Sequence, residues 1–200
     1  MNTTKIIAYA KDRLQPNYTI PEGVTSIYES VFNECSSLVS IVIPKGVTEI
    51  GSTAFYKCSS LTSIMIPEGV TYIGRAAFNG CSSLTSITIP EGVTNINESV
   101  FYNCSSLASI VIPASVTKID NQAFILCKSL MTITCKGVTA PSCTYYTFGD
   151  RFPEYTGSNT YNTGENKLYV PANATGYEES YWLTTLCNSS KCGFTLSKTL

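Results

Sequence analysis

Apolar and polar positions along this chain recur with a period of 23 residues, longer than one helical turn or one strand allows. Units open at Ile20, Ile43, Ile66, Ile89 and Ile112, each followed at once by Pro. Phe recurs at Phe32, Phe55, Phe78, Phe101 and Phe124, Cys at Cys35, Cys58, Cys81, Cys104 and Cys127, and Leu at Leu38, Leu61, Leu84, Leu107 and Leu130. One copy, residues 43–65, reads IPKGVTEIGSTAFYKCSSLTSIM. A fixed period of this length predicts a solenoid, in which a unit buries its apolar face only by stacking on its neighbours.

Each unit divides into short pieces. Leu38, Ile41 and Ile43 and their equivalents form an L-x-x-I-x-I strand pattern. Pro cannot donate to a ladder, so it marks the strand's end. Gly46, Val47, Thr48 and Ile50 then predict a second short extended segment on the opposite wall. The row Tyr28, Gly51, Gly74, Asn97 and Asp120 is rich in residues that tolerate positive φ, so it predicts a left-handed turn. Ala54–Phe55 and Val100–Phe101 predict a short helical or 3₁₀ turn that drops a ring inward. The Ser row Ser37, Ser60, Ser83, Ser106 and Ser129 is expected to satisfy backbone groups where the chain enters the strand. The inward rows are thus Ile, Val, Ile, Ala or Val, Phe, Cys, Leu and Ile. Each large apolar side chain buried stabilises by about 1.5–3 kcal/mol before entropy.

The pattern divides the chain into four parts. Residues 1–19 form an N-terminal lead-in or cap, and 20–134 hold five repeats. Residues 135–167 are a degenerate repeat and a Tyr/Asn/Gly-rich loop, and 168–200 are a C-terminal cap. Leu168, Val170 and Pro171 restore the strand-then-Pro pattern. Thr175 with Glu178 fits a capping box, and Tyr177, Tyr181, Trp182 and Leu186 have helical spacing, so 175–186 is expected to be a helix closing the core.

Five of the nine cysteines lie in one repeat row, which makes them a buried, reduced ladder with strand-like spacing of about 5 Å. Cys135 falls where the pattern wants Ile. Cys143, Cys187 and Cys192 lie outside the ladder, and the spacing of the last two allows a small disulfide loop. With no His in the chain, neither a metal site nor a Ser-His or Cys-His nucleophile is expected. No phosphate-binding Gly-rich loop follows a strand. Glu29, Glu49, Glu98 and Asp120 sit in solvent rows, so no catalytic residues and no cofactor are expected. The net charge of −1, with 14% charged residues, lacks the basic stripe of a nucleic-acid binder. No apolar run is long enough to span a membrane. The stretch IIAYA near the N-terminus runs straight into charges, unlike a signal peptide's apolar region. Either the protein stays inside the cell, with Met1 its native start, or this sequence begins after an export signal. The sequons at Asn17 and Asn173 matter only in a eukaryotic secretory pathway.

The unit I-P-x-G-V-T-x-I-x-x-x-A-F-x-x-C-S-S-L-x-S-I-x resembles the BspA-like leucine-rich repeat of bacterial surface proteins. The likeness is close over 20–134 and looser over 5–19 and 168–186. It implies a mostly β, α/β-type solenoid, a right-handed superhelix with a parallel sheet on its concave wall. It also implies display at the cell surface or secretion, roles in adhesion or host and partner protein recognition, and no catalytic residues.

Candidate partner-binding residues are the outward positions of the concave strands: Val39, Val42, Thr62, Met65, Thr85, Thr88, Ala108, Val111, Met131 and Thr134, beside a middle row of Ser40, Ser63, Ser86, Ser109 and Thr132. This surface is small, uncharged and half apolar, which suits either an interaction site or plain strand-forming surface. Tyr145 and Tyr146 in the irregular loop are a second candidate, since Tyr gives contact area at low entropic cost; the alternative is a divergent last repeat sealing the core. Tyr56, Tyr102 and Tyr72 offer a weaker aromatic patch. Three functions remain open. One is a surface module binding a protein partner, and another is a homo-oligomer that self-associates through its open first rung or apolar face. The third is an intracellular scaffold.

Overall fold

The computed structural model describes residues 4–6, 15–143, 147, 166–177 and 194–199. Fifteen strands run through them: β1 (Thr4–Ile6), β2 (Asn17–Thr19), β3 (Val24–Ile27), β4 (Ser40–Val42), β5 (Glu49–Ile50), β6 (Ser63–Ile64), β7 (Tyr72–Ile73), β8 (Ser86–Thr88), β9 (Asn95–Ile96), β10 (Ser109–Ile112), β11 (Lys118–Ile119), β12 (Thr132–Cys135), β13 (Ser142–Cys143), β14 (Asn166–Pro171) and β15 (Phe194–Thr199). The even-numbered strands from β2 to β14, followed by β15, form one eight-stranded sheet in the order β15-β14-β12-β10-β8-β6-β4-β2. All its pairs are parallel. Strands β1, β3, β5 and β7 form a second sheet, and β9, β11 and β13 a third. These two carry the short Thr-x-Ile segments, so each repeat supplies one strand to the long sheet and one to a short sheet.

The expected inward rows are buried. Ile43, Val47, Ile50, Ala54, Phe55, Cys58, Leu61 and Ile64 of the second unit all join one continuous core, as do their equivalents along the stack. Leu130, in the last full unit, is only partly buried. The five Phe rings stack with centroids 5.1, 5.3, 5.8 and 5.5 Å apart and nearly parallel planes. Tyr18 caps one end of that column, tilted against Phe32 at 5.7 Å.

The turn segment departs from the sequence-based expectation. Among the described residues there is no helix, and no 3₁₀ segment forms. The row Tyr28, Gly51, Gly74, Asn97 and Asp120 does not take positive φ. Two other rows do: Ser30, Thr53, Ala76, Ser99 and Gln122, then Glu34, Lys57, Gly80, Asn103 and Leu126. Two left-handed residues four positions apart in each unit stop a helix, which needs an unbroken right-handed run. The amides of Ala54, Tyr56 and Cys58 close turns onto Gly51, Thr53 and Phe55, whereas those of Thr53, Phe55 and Lys57 reach the carbonyls of Arg75, Ala77 and Asn79 in the next unit at 2.6–2.8 Å. Bonds between units therefore replace bonds within a helix. Glycine at 51 and 74 answers to close approach instead. A Cβ on Gly74 would lie 2.4 Å from the Ser52 amide nitrogen, and one on Gly51 2.7 Å from that of Glu29.

The ends also differ. The lead-in contributes strands to two sheets, with β1 beside β3 and β2 beside β4. Thr175 is no helix cap: it forms a parallel bridge with Thr139 and donates its amide to Val138 O at 2.8 Å. Tyr177 is buried, and its hydroxyl donates to Gly137 O at 2.9 Å. The rest of the expected helical cap, Trp182 included, lies outside the described residues. Strand β15 continues the long sheet instead of closing it.

Candidate functional site

Three outward rows run along the long sheet, set by its register. Asn17, Ser40, Ser63 and Ser86 are successive partners, as are Ser86, Ser109, Thr132 and Lys167. The row of Thr19, Val42, Met65, Thr88, Val111 and Thr134 follows the same register one repeat at a time. The third row is Val39, Thr62, Thr85, Ala108 and Met131, joined by amide bonds from each to the carbonyl of the one before at 3.0–3.3 Å.

Exposure along these rows is uneven. Met65 is 83% exposed and Val42 58%, against 37% for Val39 and 38% for Met131. Thr62, Thr85 and Thr88 are exposed too, whereas Ala108, Val111 and Thr134 are half-buried. The apolar character thus gathers at Val39, Val42 and Met65 on the first two repeats. Met131 stands apart, three repeats further on. Hydroxyls between them turn back to the chain: Thr62 Oγ1 donates to Val39 O at 3.4 Å, Thr85 Oγ1 to Thr62 O at 3.5 Å, and Ser40 Oγ to Asn17 Oδ1 at 2.6 Å.

From Pro16 to Thr134 the three rows hold no charged residue. The ion pairs Lys57–Glu34, Arg75–Glu98, Lys118–Asp120 and Lys136–Glu91 lie on other parts of the surface, at 3.5, 3.0, 2.7 and 3.1 Å. Exposed pairs of this kind contribute about 0–1 kcal/mol each. Tyr145 and Tyr146 lie outside the described residues. Tyr56 and Tyr102 share a row of the turn segment and are half-buried there, whereas Tyr72 stands exposed on β7. Tyr28, named from the sequence only as a turn position, is exposed as well.

The cysteine column is chemically quiet. Cys58, Cys81, Cys104 and Cys127 Sγ donate to the carbonyls of Phe32, Phe55, Phe78 and Phe101 at 3.0–3.2 Å. Burial pushes the thiols of Cys81, Cys127 and Cys135 from 9.0 up to about 12 and raises Cys58 and Cys104 as well. A thiol so buried keeps its proton at neutral pH, and the thiolate is the nucleophilic form. In two of the Ser pairs the hydroxyl that satisfies backbone belongs to the first Ser, not the second: Ser82 Oγ donates to Ser59 O at 3.4 Å and Ser105 Oγ to Ser82 O at 3.3 Å.

A stack of parallel β-strand units with a Leu/Ile/Phe/Cys core, repeated every 23 residues, defines a leucine-rich repeat solenoid. The model of the BspA type leucine rich repeat region matches residues 5–131 in six copies. The chain belongs to this family. It is similar to a leucine rich cell surface protein of Faecalibacterium prausnitzii, with 40% identity and a TM-score of 0.63 over 66% of this chain and 35% of that one. It is also similar to a leucine rich repeat protein of T. pallidum, with 32% identity and a TM-score of 0.59 over 60% of this chain and 59% of the other. A leucine-rich repeat protein of Eubacterium ventriosum shares 26% identity with a TM-score of 0.63, over 68% of this chain and 38% of that one. The chain thus spans between about a third and three fifths of the length of these structures. A search of curated proteins finds no match.

Proposed function

We propose that the chain is a non-catalytic module that binds a protein partner at a cell surface, through the outward face of its long sheet. The observation that carries this reading is the patch of Val39, Val42 and Met65, exposed on a face whose rows hold no charge from Pro16 to Thr134. Apolar surface gathered in one place on a folded protein favours association, since covering it releases ordered water. The similarity to a protein described as a leucine rich cell surface protein supports display outside the cell.

The test is saturable binding of labelled chain to a panel of extracellular-matrix proteins. Met65→Glu and Val42→Glu place a charge in the patch and are expected to weaken binding by about tenfold or more, a change of about 1.4 kcal/mol. Thr71→Glu, on the exposed Thr row away from that sheet, should leave it unchanged. Equal loss in all three variants, or binding that never saturates, would refute the assignment.

A further inference from the structure

We propose that the two ends of the long sheet are complementary and that copies of this chain join head to tail, β15 of one against β2 of the next. The sheet is parallel throughout, so its two end strands run in the same direction. Among the described residues no strand lies beyond β2 or beyond β15. A second copy in the same orientation would extend the ladder without reversing any strand.

The side-chain phase also matches. Tyr18 is the partner of Ile41 at one end, and Leu196 the partner of Leu168 at the other, so both belong to the inward row. Both pack on the core and both remain only partly buried, unlike the fully covered Ile41 and Leu168 between them. Placing Tyr18 of one copy beside Leu196 of another would cover both. No charge faces a like charge in that register, because Asn17 and Thr19 flank Tyr18.

The backbone phase matches as well. Ser40 donates its amide to Pro16 O and Ile20 donates to Val42 O, so these two residues of the β2 segment face β4. Bonding alternates from side to side along a parallel strand, which turns the amides of Asn17 and Thr19 to the outer edge. At the far end Lys167 donates to Met131 O, so Leu168 faces β15 and Leu196, its partner, faces outward. Edges of this kind template further pairing. Contact between unlike ends is head to tail, so each added copy presents a fresh end and the assembly grows past the dimer.

Light scattering over a hundredfold range of concentration reads this directly. The expected result is a mass that rises through successive multiples of the monomer without stopping at the dimer. Thr19→Pro deletes one outer-edge amide and leaves the bonds to β4 in place, so it should hold the mass at one monomer. Added in small proportion to the unaltered chain, the folded variant should shorten the assemblies, because its β15 end still joins and its β2 end does not. A constant monomer mass would overturn the proposal. So would a mass that stops at the dimer and falls to monomer with Val42→Glu, which would mean that the sheet faces pair instead. A Thr19→Pro variant that has native circular dichroism but fails to shorten assemblies would overturn it too.

Discussion

At the scale of single residues, the cysteine row shows how a repeat position selects its chemistry. The position must fill a narrow column and offer a hydrogen to the Phe carbonyl of the preceding unit, which already accepts an amide from its own turn. Cys is small and apolar, and its thiol is a weak donor, so it meets both needs. The cost appears at high pH. The folded state holds these protons up to about pH 12 for Cys81, whereas an unfolded thiol releases its proton near 9.0. Below pH 9 both states are protonated and stability is complete. Between pH 9 and 12 the unfolded state binds fewer protons, so stability falls with rising pH, by at most about 1.4 kcal/mol per pH unit for each such thiol. The urea midpoint should therefore be flat from pH 6 to 8 and drop above 9. Cys81→Ala should make that drop shallower by about one proton, and an unchanged slope would contradict the argument. At pH 8 the peptides carrying Cys58, Cys81, Cys104 and Cys127 should resist a thiol reagent until the chain is unfolded.

At the scale of the element, the row of Gly51 and Gly74 carries the information most easily misread. From the sequence, Gly alternating with Asn and Asp signals positive φ. In the fold the signal means that adjacent units come within contact distance. Where the row changes to Asn97, the Asn97 side-chain amide takes the Ile73 carbonyl at 2.6 Å, the role that the backbone amides of Gly51 and Gly74 play toward Ile27 and Ile50. Gly74→Ala should thus destabilise by about 1–3 kcal/mol through overpacking against backbone that cannot move aside. Gly46→Ala, whose nearest neighbour is Val24 O at 3.6 Å, should be nearly neutral. Comparable melting temperatures for the two variants would refute this. The inward rows and both strand segments were legible because burial imposes a strict apolar periodicity. The turns were not, since Thr53, Lys57 and Ala76 carry no sequence mark of positive φ; bonds to the next unit impose it. The end strands were hidden for the related reason that β2 and β15 pair by register while departing from the repeat's residues. On the outer face, the sequence located the rows and their lack of charge. The concentration of exposure at Val42 and Met65 depends on packing along the sheet, which no single repeat records.

For the molecule as a whole, the consequence of the architecture is modularity. Hydrogen bonds and ring contacts run chiefly from one unit to the next, as in the Phe column and the Cys-to-Phe bonds. Stability is then close to a sum of unit and interface contributions. Deleting residues 66–88 removes one complete unit. It joins Met65 to Ile89, the same Ile-Pro opening that follows Met65 in the intact chain. Phe55 would stack on Phe101, and Cys104 would find the Phe55 carbonyl in place of that of Phe78. The shortened chain should fold with a native near-ultraviolet spectrum and unfold in one cooperative step at a lower urea midpoint. Its m value should fall by about a ninth, the share of the chain removed, because less surface is exposed on unfolding. The same deletion keeps Val39, Val42 and Met65 together and leaves both sheet ends intact. Loss of cooperative unfolding in this variant would mean that the fold depends on contacts reaching beyond adjacent units, and the stack could not be treated as a series of neighbours.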